Sequence, residues 1–129
     1  MQGGAAHYAL GILADDGEGD DSFNVLREPR YMHMGAGHDF STGVLLNEAG
    51  DEHYRFGGLG MGASNCNGVG LVVDVSGDDI YSSASDYGWG MGNVSGECID
   101  SRPNSRSQGI MIDAGGADTY DAPATGADG

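Results

Sequence analysis

Leu71-Val72-Val73-Asp74-Val75-Ser76-Gly77-Asp78-Asp79-Ile80-Tyr81 reads as an apolar strand, an acidic turn and an aromatic strand. The apolar run is too short for a capped helix and suits a strand. Ser, Gly and Asp supply the turn chemistry between the two strands. Three further segments, 13–23, 44–54 and 110–120, align with it without gaps. Each has a short apolar run, Asp or Asn, a Gly three residues on, Asp or Glu, and then Tyr or Phe. The shared glycines are Gly19, Gly50, Gly77 and Gly116, giving spacings of 31, 27 and 39 residues.

A second element lies between these segments. It reads Met34-Gly35-Ala36-Gly37, Gly58-Leu59-Gly60-Met61-Gly62 and Gly88-Trp89-Gly90-Met91-Gly92. A glycine also precedes each apolar run: Gly11, Gly43, Gly70 and Gly109. Alternating glycine puts the small residues on one strand face, where another backbone can approach closely. Units of about this size cannot bury a face alone and are expected to stack on one another. The expected fold is therefore all-β: a small β-solenoid of about four stacked repeats with glycine, acidic and aromatic ladders. It would be a single repeat domain over 1–129, with repeats near 1–31, 32–56, 57–86 and 87–129. The extra length falls at 24–32 and 94–107, read as loop insertions.

Stacking at about 4.8 Å predicts an aromatic ladder of Phe23, Tyr54, Tyr81 and Tyr120. It also predicts an apolar ladder through Leu13, Val44, Leu71 and Ile110. Both read as core or its edge. The acidic turns form rows of their own: Asp16, Asn47, Asp74 and Asp113; Asp21, Glu52, Asp79 and Asp118; and between them Asp20, Asp51 and Asp78. Like charges directly opposite on neighbouring strands are destabilising. Two arrangements relieve that repulsion. The carboxylates accept hydrogen bonds from turn N–H groups, or a hard divalent cation such as calcium bridges the rows. Both stay open at this stage, and all eleven residues are candidate metal ligands.

Twenty acids face five bases, all five of them Arg, for a net charge of −15. That balance argues against nucleic acid and anionic membrane surfaces as partners. It leaves cation binding or solubility in salt. No run reaches the length of a membrane-spanning helix, and the first residues do not read as a signal peptide. Cys66 and Cys98 have no metal-ligand spacing. They follow equivalent glycine stretches, so a disulfide between neighbouring repeats is expected.

The acidic turns, above all Gly115-Gly116-Ala117-Asp118-Thr119-Tyr120 and Gly77-Asp78-Asp79-Ile80-Tyr81, resemble the Gly/Asp-rich calcium repeats of secreted bacterial β-roll proteins. The β-roll unit recurs every nine residues, and the unit here is roughly three times longer. The whole unit is similar to a broader class of Gly/Asp-rich bacterial repeat proteins. The resemblance implies calcium as cofactor, secretion and a β-solenoid-type fold. It implies no activity and no catalytic residues.

His7, His33, His38 and His53 lack an accompanying nucleophile motif and read as surface or ladder histidines. Met61 and Met91 read as repeat-equivalent core residues beside Trp89. Asn93-Val94-Ser95 is a glycosylation sequon. The functional expectation is an extracellular or cell-surface structural module stabilised by calcium. It would self-associate end to end into a fibre or continue in a longer chain. The alternatives are a carbohydrate-binding or carbohydrate-cleaving β-solenoid, with a glycan as partner, and an acidic halophilic surface domain without a specific metal.

Overall fold

The computed structural model describes residues 2–24, 32–84, 88–92 and 106–121. Every element among them is a strand: β1 (Ala5–Ala6), β2 (Leu10–Asp15), β3 (Ser22–Asn24), β4 (Gly37–His38), β5 (Thr42–Asn47), β6 (His53–Phe56), β7 (Ser64–Asn65), β8 (Val69–Asp74), β9 (Ile80–Ser83), β10 (Gln108–Asp113) and β11 (Thr119–Asp121). They form three sheets, ordered β1-β4-β7, β10-β8-β5-β2 and β11-β9-β6-β3. All pairings are parallel. Among the described residues no helix is long and apolar enough to cross a membrane.

The expected β-solenoid of four stacked repeats is corrected by this topology. The described strands make three separate parallel sheets of unequal width, not four equal turns of one coil. Among the described residues the first sheet has three strands, and Gly92 of the fourth glycine stretch bridges to it at Ser64. The gapless alignment also fails in the first copy. Ile12, not Leu13, pairs with Val44, and Asp15, not Asp16, pairs with Asn47. Phe23 nevertheless pairs with Tyr54, so the turn after β2 holds one extra residue. A one-residue slip reverses which face a side chain takes. Leu13 therefore lies over Leu45 and Val72 on the inner face. Ile12, Val44, Leu71 and Ile110 point outward, with Ile12 61% exposed. The expected insertions fall mostly on 25–31 and 93–105, outside the described residues.

The core lies between the second and third sheets. Leu45 and Val72 meet Tyr54, Tyr81 and Phe56, with Met34, Met61 and Phe23 completing the cluster. Phe23, Tyr54, Tyr81 and Tyr120 stack as a column with ring centroids 5.0, 4.8 and 5.0 Å apart. Each such pair adds about 0.5–1.5 kcal/mol beyond burial. The expected equivalence of Met61 and Met91 does not hold. Gly90 N–H bonds to Met61 O as Gly62 N–H bonds to Met34 O, which makes Trp89 the counterpart of Met61. Trp89 packs edge-on against Phe56, and Met91 is 41% exposed.

Glycine sets how closely the turns stack. A Cβ on Gly77 would sit 1.6 Å from Gly50 O, and its φ is +150°. Only glycine combines that conformation with that approach.

Candidate metal site

β5 and β8 each end on a polar residue whose side chain points inward. Strand alternation puts Gly43, Leu45 and Asn47 on one face, and Gly70, Val72 and Asp74 on the equivalent face. Asn47 and Asp74 are consequently buried. Across the acidic turn, Glu52 and Asp79 stand one residue before β6 and β9. Glu52 and Asp79 are buried as well, 2% and 1% exposed. The apolar interior thus closes on a small chamber of oxygen atoms at the turn end of the sheets.

Glu52, Asp74 and Asp79 each present a carboxylate oxygen, and these atoms lie within 4.8 Å of one another. Tyr54 Oη donates to Asp74 Oδ2 at 2.5 Å. The Tyr81 hydroxyl lies 3.2 Å from both Asp74 Oδ2 and Asp79 Oδ2. Asn47 Nδ2 donates to Glu52 Oε2 at 2.5 Å, and Asp79 Oδ1 accepts the Glu52 N–H at 2.7 Å. Three buried oxygens of this cluster have no partner: Asn47 Oδ1, Glu52 Oε1 and Asp74 Oδ1. Buried polar atoms are rarely left so, and each such vacancy costs about 1–3 kcal/mol.

The electrostatics follow from the crowding. Burial, reinforced by the charges of Asp79 and Asp74, raises the Glu52 carboxyl to about 7. Burial and neighbouring Asp74 raise Asp79 to about 6. Tyr54 and Tyr81 are pushed well above the ordinary phenol value, first by burial and then by Asp74. Three carboxylates cannot all stay charged here without a counter-charge. A proton or a cation must supply it, and the residues present can hold a metal ion.

The sequence-predicted ligands divide by burial. Asn47, Glu52, Asp74 and Asp79 converge on the chamber. Asp113 and Asp118 are half-buried at the edge of the stack, where the Tyr120 hydroxyl donates to Asp113 Oδ2. Asp16, Asp20, Asp21, Asp51 and Asp78 are exposed. Part of the exposed row caps backbone. Asp20 Oδ1 accepts Asp51 N–H at 3.2 Å, Asp51 Oδ1 accepts Asp78 N–H at 2.9 Å, and Asp78 Oδ1 accepts Ala117 N–H at 2.8 Å. Asp118 Oδ1 likewise accepts Asp79 N–H at 3.0 Å. Turn capping therefore runs through both the exposed row and the Glu52–Asp79–Asp118 row, while among the described residues only Glu52, Asp74 and Asp79 cluster closely enough to hold a cation.

Sequence reasoning treated Tyr54 and Tyr81 as packing alone and missed their hydroxyls on Asp74. The signal was available in strand parity. Asp74 is two residues from core Val72 and so shares its face.

The other candidates lie elsewhere. Cys66 is a half-cystine; Cys98, the chain's other cysteine, and the 93–95 sequon lie outside the described residues. His7 Nδ1 is 3.0 Å from Asp39 Oδ2 on an outer corner, and His38 Nδ1 bonds Asn65 Oδ1. His33 is buried, and its imidazole is lowered to about 4, chiefly by burial. His53 lines a shallow groove of about 300 Å³ with Arg55, Ser82, Ser83, Ala84 and Asp121. Among the described residues lining that groove, Asp121 is the one carboxylate.

Compared with known proteins, the chain matches no family model, no curated protein and no solved structure.

Proposed function

We propose that this chain is a structural repeat module whose interior binds calcium through Asn47, Glu52, Asp74 and Asp79. The observation that carries the reading is the set of three unpartnered buried oxygens, Asn47 Oδ1, Glu52 Oε1 and Asp74 Oδ1, beside three clustered carboxylates. Calcium takes six to eight oxygen ligands at about 2.3–2.6 Å. A separation within 4.8 Å between donor oxygens is no more than about twice that bond length. All four side chains offer hard oxygen and none offers nitrogen or sulfur to a softer metal, which favours calcium over zinc or copper.

The cation would neutralise carboxylates at the end of the core and tie β5 to β8 through Asn47 and Asp74. Its role is to stabilise the fold, and the chain's role is architectural. Calcium modules outside the cell work at about 10⁻⁴–10⁻³ M, and the half-cystine at Cys66 suits an oxidising compartment. The half-cystine supports an extracellular or cell-surface setting.

Terbium luminescence tests the site directly, because Tyr54 and Tyr81 adjoin it and can sensitise a bound lanthanide. Tyrosine-excited terbium emission that calcium displaces is the expected result. Emission unchanged by Asp74→Asn, or no emission at all, rejects the site.

A further inference from the structure

Granted the cation site proposed above, on which this inference rests, we propose that its preferred occupant is a trivalent hard cation of the lanthanide class, with calcium bound more weakly. Lanthanide ions match calcium in size and in their preference for hard oxygen donors. Shape and donor type therefore do not separate the two, and charge decides.

The charges in the chamber can be counted. Glu52, Asp74 and Asp79 bring three carboxylates, each at most 2% exposed, with one oxygen from each inside 4.8 Å. The hydrogen-bond donors to them are all neutral: the Tyr54 and Tyr81 hydroxyls, the Asn47 amide and the Glu52 N–H. Among the described residues the one ion pair is His7–Asp39 on an outer corner, so no basic side chain offsets any of the three. The next acids deepen the deficit. Asp118 Oδ1 accepts the Asp79 N–H, and Asp113 Oδ2 accepts the Tyr120 hydroxyl.

A divalent ion facing three carboxylates leaves one negative charge over, and a trivalent ion leaves none. Salt screens a buried site far less than an exposed one, and an uncompensated buried charge is costly. Ligand charge count is one of the levers by which oxygen sites tune cation affinity. The oxygens also suit an ion of high coordination number. Asn47 Oδ1, Glu52 Oε1 and Asp74 Oδ1 are unpartnered. Asp79 Oδ2 and Asp74 Oδ2 compete for the single Tyr81 hydroxyl proton.

Competition between terbium and calcium, read by tyrosine-sensitised emission, tests the charge rule. Emission that is lost in Asp74→Asn marks the ion in the chamber. In the wild type, terbium is expected to bind roughly a hundredfold more tightly than calcium, or better. Charge matching further requires that preference to follow the carboxylate count. Glu52→Gln removes one carboxylate and should cut the terbium-to-calcium affinity ratio by roughly tenfold or more. Adding Asn47→Asp returns the count to three. It also keeps the hydrogen bond between the two side chains, with donor and acceptor exchanged, so the ratio should recover. Asp51→Asn, on the exposed row, should leave the ratio unmoved. Circular dichroism confirms that each variant stays folded. No sensitised emission from the wild type overturns the cation site itself, and this preference with it. Terbium that emits but is displaced by an equal concentration of calcium overturns the trivalent preference alone. So does a ratio indifferent to Glu52→Gln, or a double variant with no higher ratio than Glu52→Gln.

Discussion

The Tyr54 hydroxyl reaches across from β6 to the end of β8 and donates to Asp74 Oδ2 at 2.5 Å. Both residues are 0% exposed. Tyr54 is at once the middle of the aromatic column and a partner of the acidic chamber. Tyr54→Phe keeps the stack and deletes only the hydroxyl. The expected cost is about 1–3 kcal/mol, the penalty for stripping a hydrogen bond from a buried charged group. Chemical denaturation with an unchanged slope measures it. Calcium should recover part of the loss by giving Asp74 a new partner.

The metal-free chain should lose stability as pH rises. Glu52 and Asp79 have folded-state values near 7 and 6, above those of the unfolded chain. Between roughly pH 4 and 7 the folded state therefore binds more protons, and unfolding free energy falls with pH. His33, lowered to about 4, acts in the opposite direction between about 4 and 6.5 and offsets part of the change. Above pH 6.5 the carboxyls stand alone. In chelator, the melting midpoint should drop from pH 6.5 to 8, and Glu52→Gln should flatten that drop. Calcium should raise the midpoint most at pH 8, where protons no longer compete for the oxygens.

Gly77 and Gly115 make a matched pair for the turn stack. Gly77→Ala forces a Cβ to within 1.6 Å of Gly50 O at a φ of +150°. Gly115→Ala meets nothing closer than Val75 O at 3.8 Å. The first should destabilise by several kcal/mol, in the class of strained backbone with an overlap. The second should stay within about 0.5 kcal/mol. Thermal melts of the two variants side by side check the contrast.

Leu45 and Leu46 are neighbours with opposite fates. Leu45 is 0% exposed and Leu46 is 39% exposed. Leu45→Ala should cost about 2–5 kcal/mol as a core cavity, and Leu46→Ala well under half of that. Equal effects in denaturation would mean that the register of β5 is wrong.

The sequence by itself determined the strand content, the positions of the turns and the aromatic column. These are local or repeating properties: short apolar runs between glycines, Gly and Asp at the turns, and an aromatic seven residues after each inner Asn47, Asp74 and Asp113. The register of the first copy was not legible, because Asp16 fits the gapless pattern with Gly19 while Asp15 takes its place only when the turn holds one extra residue. Only pairing with Asn47 separates them. Nor could the repeat foretell three separate parallel sheets among the described residues, since a shared motif does not say which strands pair. Above all, the acids look equivalent along the chain. Tertiary structure made them unequal: strand parity turns Asp74 inward beside Val72 while the turn leaves Asp78 in solvent. Burial, which no local pattern records, is what separates Asp74 in the acidic cluster from Asp78 in solvent.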